Sequence, residues 1–277
     1  ALARKVAADA MVLLKNDRDL LPLSNIKTLA VIGGLADSPA IQGGGSSQVS
    51  PDRIVSPLEG LKEAVGSETH IIYERGLDPE PKPPVLDGRL LSPAPDADVR
   101  GLSARYYSQP NYQGDVILEA VDWRFSKLGF GEAAQDDAGA FSVEWKGVFR
   151  PRYTGDHEWV ITHSNPDIEL ILGGEVLVGG ETPRETEMLF MILPLNRRQA
   201  RIHLQAGEAY PITIRYSQPG GIRGFNIFNV CLREPAPDRS AAIDAVKSAD
   251  RVVLFVGSGA TSETEGKDRA SMTLDPA

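Results

Sequence analysis

TLAVIGG, residues Thr28–Gly34, is a short unbroken apolar run stopped by two glycines. A strand with one face in water alternates apolar and polar side chains. A run without alternation suits a strand covered on both faces, the usual state of a parallel sheet between helices. The same character returns near the other end of the chain in RVVLFVGSG, Arg251–Gly259. Helical patterns surround the two runs. Pro57 to Ala64 opens one helix. DRSAAIDAVKSAD, Asp238–Asp250, is another, with Ala242, Ala245, Val246 and Ala249 on one side. THIIYERG, Thr69–Gly76, reads as a further strand. The opening ALARKVAADAMVLL favours a helix, since Ala7, Met11 and Leu14 recur at i, i+4 and i+7 with Ala3 one turn earlier. Asn16–Asp17 then turn the chain, and Leu20, Leu21 and Leu23 around Pro22 suggest an apolar docking loop. Alternating helices and strands are the signature of an α/β domain.

The pattern breaks between Pro79 and Val99, a stretch holding Pro79, Pro81, Pro83, Pro84, Pro93 and Pro95, which suits a linker rather than a core element. From Leu102 to Leu232 the period is nearer two. GLSARYYS, AFSVEWKGVFRP, HEWVITHS, IELILGG, EVLVGG, ARIHLQAG, YPITIRYS and FNIFNVCL are short, aromatic or β-branched, and separated by Gly, Pro and Asn. Such segments describe an antiparallel sandwich or barrel. Pro235 and Pro237 mark the return. The reading is therefore an all-β domain inserted into one α/β domain. Residues 1–78 form the first part, 79–100 a Pro-rich linker, 101–233 the insert and 234–277 the continuation. Neither α/β piece looks large enough to close a sheet alone, and insertion at a loop with adjacent ends costs little.

At 277 residues with 42% hydrophobic and 24% charged residues, the composition is that of a globular protein with room for two cores. A net charge of −9 without a basic face argues against a nucleic-acid partner. Cys231 is the single cysteine, which excludes an intrachain disulfide and leaves the redox compartment open. No run of about 18 apolar residues appears, so no transmembrane helix is expected. The first residues lack the uninterrupted apolar core of a signal peptide and read as an internal start.

The densest chemistry lies in GSGATSETEGKDRAS, Gly257–Ser271, where Glu263, Glu265, Lys267, Asp268 and Arg269 crowd into seven positions directly after an apolar strand. The C-terminal edge of a parallel sheet is where α/β proteins place ligands. Glu263 and Glu265 are two apart, so in an extended loop they point opposite ways. One can face a cleft while the other pairs with Lys267 or Arg269. An acid set against a bond to an oxygen leaving group can protonate it. The plainer alternative is a solvated loop with local ion pairs. Gly43–Gly45 with Ser46 and Ser47 form a second candidate loop, whose spacing matches neither the dinucleotide fingerprint nor the P-loop. A structural or sugar-lining role fits it better. His70, His157, His163 and His203 lack ligand spacing and read as core or surface residues. Cys231 reads as a small buried hydrophobe. Trp123, Trp145 and Trp159 read as core, with an exposed ring able to stack on a sugar. Asp156 and Asp167 are candidate sugar or calcium ligands but supply too few oxygens for a calcium site. No cofactor and no metal are called for.

AADAMVLLKNDRDLLPL, TLAVIGG, GGGSSQVSP and VVLFVGSGATSETEGKDRASMTL together resemble the second α/β sandwich domain of glycoside hydrolase family 3, which includes β-glucosidases, β-xylosidases and exo-glucanases. YYSQPNYQG, WKGVFRPRYTGDHEW and GEAYPITIRYSQ resemble a PA14 domain, which some members carry inside this second domain. The resemblance implies an incomplete α/β sandwich domain with an inserted all-β PA14-like sandwich or barrel. It implies that Glu263, the first glutamate of an ETEG-type stretch, is the general acid/base, with Glu265 the competing choice. Asp268 and Arg269 match residues that shape this loop. Gly44, Ser46 and Ser47 fall in the matching glycine-rich loop. The family's nucleophile is an aspartate on an N-terminal (β/α)8 barrel, to which no segment here corresponds, and a C-terminal remainder of the sheet is also implied. These pieces, in the same protein or as separate chains, are the expected partners, together with a β-glucoside or oligosaccharide substrate. PA14 domains that bind sugar through calcium use two adjacent aspartates, whereas SNPDIEL offers Asn165, Pro166 and Asp167. The implied activity is that of a retaining exo-acting β-glycosidase, most simply a β-glucosidase. β-Xylosidase, exo-glucanase and natural-product β-glucosidase specificities stay open, and a carbohydrate-binding module on an inert α/β carrier is the alternative. The chain alone is expected to be inactive.

Overall fold

The structure, a computed structural model, describes residues 2–41, 51, 54–77, 82–128, 140–164, 167–180, 182–189, 193–218, 227–259, 268 and 271–273. The chain divides into two compact units, one formed by Ala1–Pro79 with Pro237–Ala277, the other by Glu80–Ala236. It is a mixed α/β fold with two antiparallel sheets in addition to a parallel one.

In the first unit α1 spans Leu2–Asp9, β1 Thr28–Ile32, α2 Pro57–Val65 and β2 His70–Glu74. The start of α2 is encoded locally. The Ser56 hydroxyl accepts from the Glu59 amide and the Glu59 carboxylate accepts from the Ser56 amide, both at 3.1 Å, with Pro57 in the first turn. This reciprocal cap satisfies two amides that helix geometry leaves without partners. The opening helix is shorter than its pattern suggests. It ends at Asp9, and Met11 and Leu14 lie beyond it with 77% and 92% of their surface exposed. An apolar stripe extends a helix only when it has a surface to bury against, and no residue of α1 is buried. Leu20 and Leu21 are likewise exposed, while Leu23 packs against the core.

In the second unit the strands are β3 Leu91–Ser92, β4 Leu102–Tyr107, β5 Val116–Asp122, β6 Ser126–Leu128, β7 Phe141–Phe149, β8 Gly155–His163, β9 Asp167–Leu172, β10 Glu175–Val178, β11 Glu185–Leu189, β12 Leu193–Leu204, β13 Tyr210–Gln218 and β14 Ile227–Arg233. One sheet has the order β10-β9-β13-β7-β4-β5 with β3 also on β7, the other β11-β12-β8-β14-β6. Their inner faces share one core, in which Trp145, Ile214 and Leu170 from the first sheet meet Trp159, Ile161 and Val230 from the second. Phe149 and Trp159 stand edge to face with centroids 5.1 Å apart, an arrangement aromatic quadrupoles favour. The stretch expected to be a bare linker contributes to this core. Leu86, Leu90 and Leu91 are buried in it, Val85 bridges to Cys231, and β3 pairs with β7. Its prolines flank an apolar VLDGRLL segment that is itself free of them, so counting prolines hid a core element.

The chain returns to the first unit as α3, Arg239–Ser248, and β15, Arg251–Leu254. The parallel sheet has the order β15-β1-β2. Leu29 and Val31 of β1 pack with Leu58 of α2 on one face, and Ala30 and Ile32 pack with Ala242 and Ala245 of α3 on the other. β1 is therefore covered on both faces, as its unbroken apolar run requires. β15 is not. Val252 and Leu254 are 42% and 61% exposed. They share a face with Ala30 and Ile32, but α3 lies over β1 and β2 and leaves β15 uncovered on that side. Val246 of α3, expected on the packed side, is also exposed.

Candidate functional site at the strand ends of the α/β unit

β1 is flanked by parallel partners that the chain reaches in opposite senses, β2 directly through α2 and β15 only after the second unit and α3. Between β1 and β15 the strand order reverses. In open α/β sheets the crevice beyond the carboxyl ends at such a point is where ligands bind.

The two exits are held close. Beyond the last paired residues the Phe255 amide donates to the Ile32 carbonyl at 2.8 Å, and the Gly33 amide donates to the Glu74 carbonyl at 3.0 Å. Gly33 has φ +115, and a Cβ built on it would lie 2.1 Å from the Phe255 carbonyl oxygen. Only glycine tolerates both the dihedral and the approach. A short 3-10 turn, Gly34–Ala36, then buries Ala36 against β1 and α2. At the opposite end of the sheet Asp250 accepts from the amides of Lys27 and Thr28 at 3.0 and 2.9 Å, tying the approach to β15 to the start of β1. Those two backbone hydrogen bonds, that from Thr28 foremost, hold its carboxyl below the usual range.

From these exits the chain runs into both stretches that carry the expected site residues. Gly44, Ser46 and Ser47 lie in 42–50, and Glu263 and Glu265 in 260–267, all outside the described residues, as does Arg269. Asp268 is described and exposed. The structure thus fixes where the chain leaves β1 and β15. Sequence reading treated Gly33 only as the end of a strand and did not single out Asp250. The signal for Gly33 was present as a Gly-Gly pair directly after a buried strand, which also marks close backbone approach.

In the second unit the candidates separate. Asp156 pairs with His203 at 2.9 Å at the start of β8, whereas Asp167 opens β9 beyond the far end of β8. A nine-residue strand is about 30 Å long, so the two do not form one site. Among the described residues no group of three or more His, Cys, Asp or Glu could hold a metal ion. His157 and His163 are buried in the sandwich. Burial pushes the Cys231 thiol up to about 12, so it is inert rather than nucleophilic. Trp145 and Trp159 belong to the core, while Trp123 is 38% exposed with the Arg124 guanidinium 4.1 Å from its ring centroid. On the outer face of the larger sheet Arg215 joins Glu144 at 3.0 Å and Glu169 at 3.2 Å, and Lys146 reaches the other oxygen of Glu144. Burial raises the Glu144 carboxyl, but hydrogen bonds from Lys146 and Arg215 outweigh it and hold the group below its ordinary value. Among the described residues no helix is long and apolar enough to cross a membrane.

A parallel sheet with its switch point between β1 and β15 and glycines at both exits defines an α/β domain. Residues 11–277 match the glycosyl hydrolase family 3 C-terminal domain, and the chain belongs to that family. It is similar to probable beta-glucosidase I of Aspergillus terreus, 29% identical over 295 residues that cover 100% of this chain and 34% of that protein. It is also similar to probable beta-glucosidase H of Aspergillus oryzae, 30% identical over 293 residues with 100% and 34% covered. The crystal structure of a beta-glucosidase from Kluyveromyces marxianus in complex with glucose superposes with a TM-score of 0.77 at 26% identity, covering 99% of this chain and 34% of that one. The chain spans about a third of the length of the relatives it matches.

Proposed function

We propose that this chain is part of a retaining exo-acting β-glycosidase, most simply a β-glucosidase removing terminal non-reducing β-D-glucosyl residues. What supports the reading is that β15, after which the sequence continues to ETEG, lies at the switch point of the sheet, in a chain matched by the family 3 domain over residues 11–277. Likeness to beta-glucosidases of fungal origin supports the substrate class. Glu263 is the general acid/base. It protonates the departing glycosidic oxygen while an aspartate on a (β/α)8 barrel outside this chain attacks the anomeric carbon, and then deprotonates the water that releases the sugar. Glu265 is the competing choice. Asp268, Arg269, Gly44, Ser46 and Ser47 shape the loops around it. We assign the sandwich within Glu80–Ala236 as a PA14-like insert that limits the length of the leaving group.

Retention requires two carboxyl groups about 5–5.5 Å apart across the scissile bond. The aspartate nucleophile of this reading lies on the barrel outside this chain, so the chain alone is inactive. Purified residues 1–277 assayed on an aryl β-glucoside should match the no-protein blank. In the complete protein Glu263→Ala should lose hydrolysis of poorly activated glucosides and regain turnover of activated ones with azide. Wild-type turnover of a poorly activated glucoside by that variant, or a larger loss in Glu265→Ala, would reject the assignment.

The second reading, an independent carbohydrate-binding module, is favoured only by the exposed Trp123 ring. Calorimetry of the 277-residue chain against oligosaccharides should give heats of dilution, and saturable binding tighter than millimolar would favour that reading instead.

A further inference from the structure

We propose that Arg198 and Arg184 hold an oxyanion, a carboxylate or phosphate group, at the edge of the smaller sheet of the sandwich. The assignment is independent of the reading of Glu263. Arg198 is 1% exposed on β12. Alternation along the strand puts it on the same side as Ala200, Ile202 and Leu204, which pack into the core. Its Nε and Nη1 are buried without a hydrogen-bond partner among the described residues. Other strand arginines fare differently: Arg105, Arg197, Arg201, Arg215 and Arg233 each reach a carboxylate within 3.6 Å. A guanidinium keeps its proton, so it cannot escape burial by neutralising itself as a lysine can. A water can accept from its donors but brings no opposite charge. Arg184 adds to the positive charge. β11 pairs with β12 in a register that sets Glu185 opposite Arg197. One step further Arg184 comes opposite Arg198 on the same face, where Cβ atoms stand about 4.5–5.5 Å apart and like charges repel. Burial foremost, and then Arg184, hold the Arg198 guanidinium below its ordinary pKa, with Asp167 acting the other way. Asp167 is exposed on β9 of the facing sheet, and among the described residues it forms no ion pair with either arginine. β11 is the edge strand and Arg184 is exposed, so an anion reaches Arg198 past Arg184 without crossing the core. Guanidinium bonds to carboxylate or phosphate are charge-assisted and strong. One oxyanion between the two side chains gives the idle donors an acceptor and offsets the repulsion.

The test follows thermal unfolding of the 277-residue chain by tryptophan fluorescence, which reports on the sandwich because Trp123, Trp145 and Trp159 all lie in it. Wild type, Arg198→Met and Arg184→Ala are each titrated with inorganic phosphate and with D-glucuronate. Sodium chloride matches the ionic strength, and D-glucose is the uncharged control. We expect at least one anion to raise the wild-type melting temperature along a saturable curve, by about 3–6 °C at roughly ten times its dissociation constant. Glucose and chloride should leave it unchanged. Arg198→Met should abolish the shift whatever its own starting melting temperature. Arg184→Ala should need about ten-fold more anion for the same shift. A shift from glucuronate supports the site and assigns it a carboxylate-bearing sugar; a shift from phosphate supports it and assigns a phosphate group. Arg184→Ala, a change at an exposed position, carries the comparison if Arg198→Met does not fold. No saturable shift with either anion in wild type, or the same shift in all three proteins, overturns the proposal.

Discussion

Replacing Asp122 by alanine should destabilise the sandwich through two orphaned donors. Its Oδ2 accepts from the Tyr106 hydroxyl at 2.6 Å and from Trp145 Nε1 at 2.7 Å. Trp145 is 4% exposed, in contact with Phe125 and Phe228, so its indole N–H has no route to bulk water. Truncation leaves that N–H desolvated and unpaired, at about 1–3 kcal/mol. The Tyr106 hydroxyl, on a half-buried residue of β4, recovers part of its loss from water and adds about 0.5–1.5 kcal/mol. The expected cost is therefore about 1.5–4.5 kcal/mol, with the removed β-carboxylate contributing little packing. Asp122→Asn keeps one acceptor oxygen at the same reach and should recover more than half of the loss. Urea unfolding of the 277-residue chain followed by tryptophan fluorescence reads this directly, since all three tryptophans lie in the sandwich. A change below about 0.5 kcal/mol in Asp122→Ala would mean that neither donor depends on the carboxylate and would refute the reasoning.

Arg198 is 1% exposed on β12, and its Nε and Nη1 have no hydrogen-bond partner among the described residues. Burial and the nearby Arg184 both press its charge down, with Asp167 the opposing influence. Arg198→Met should raise the melting temperature, consistent with a gain of about 1–4 kcal/mol when a poorly paired buried charge is replaced by an apolar side chain; a lower melting temperature would reveal an anionic partner. Glu144 has its carboxyl held below the ordinary glutamate value of about 4.3 in the fold, so it binds a proton less readily folded than unfolded. Its contribution is full above that value and is lost as pH falls through the lower folded one. Glu144→Gln should then flatten the stability curve below about pH 4.5 relative to wild type, and an unchanged acid limb in urea midpoints would count against the Arg215–Glu144 network.

Local chemistry carried much of this architecture. The unbroken TLAVI run, the Ser56–Glu59 cap before α2 and the period-two segments of the sandwich each specify their own element, because backbone sterics and burial period act within a few residues. The pairing of β1 with β2 joins residues 42 positions apart and its pairing with β15 joins residues 222 apart, and no local period encodes which strand is the neighbour. For the same reason RVVL reads as covered from sequence yet leaves Val252 and Leu254 exposed, since coverage depends on where α3 lands. β5 escaped notice because its Val116, Ile117 and Leu118 are all exposed and show no alternation. At the site, the sequence by itself displayed the carboxylates of SETEG and their resemblance to a family's acid loop. Only the tertiary structure revealed that Gly33 and Phe255 meet, because a glycine's lack of a side chain acquires meaning through the atom that occupies the space.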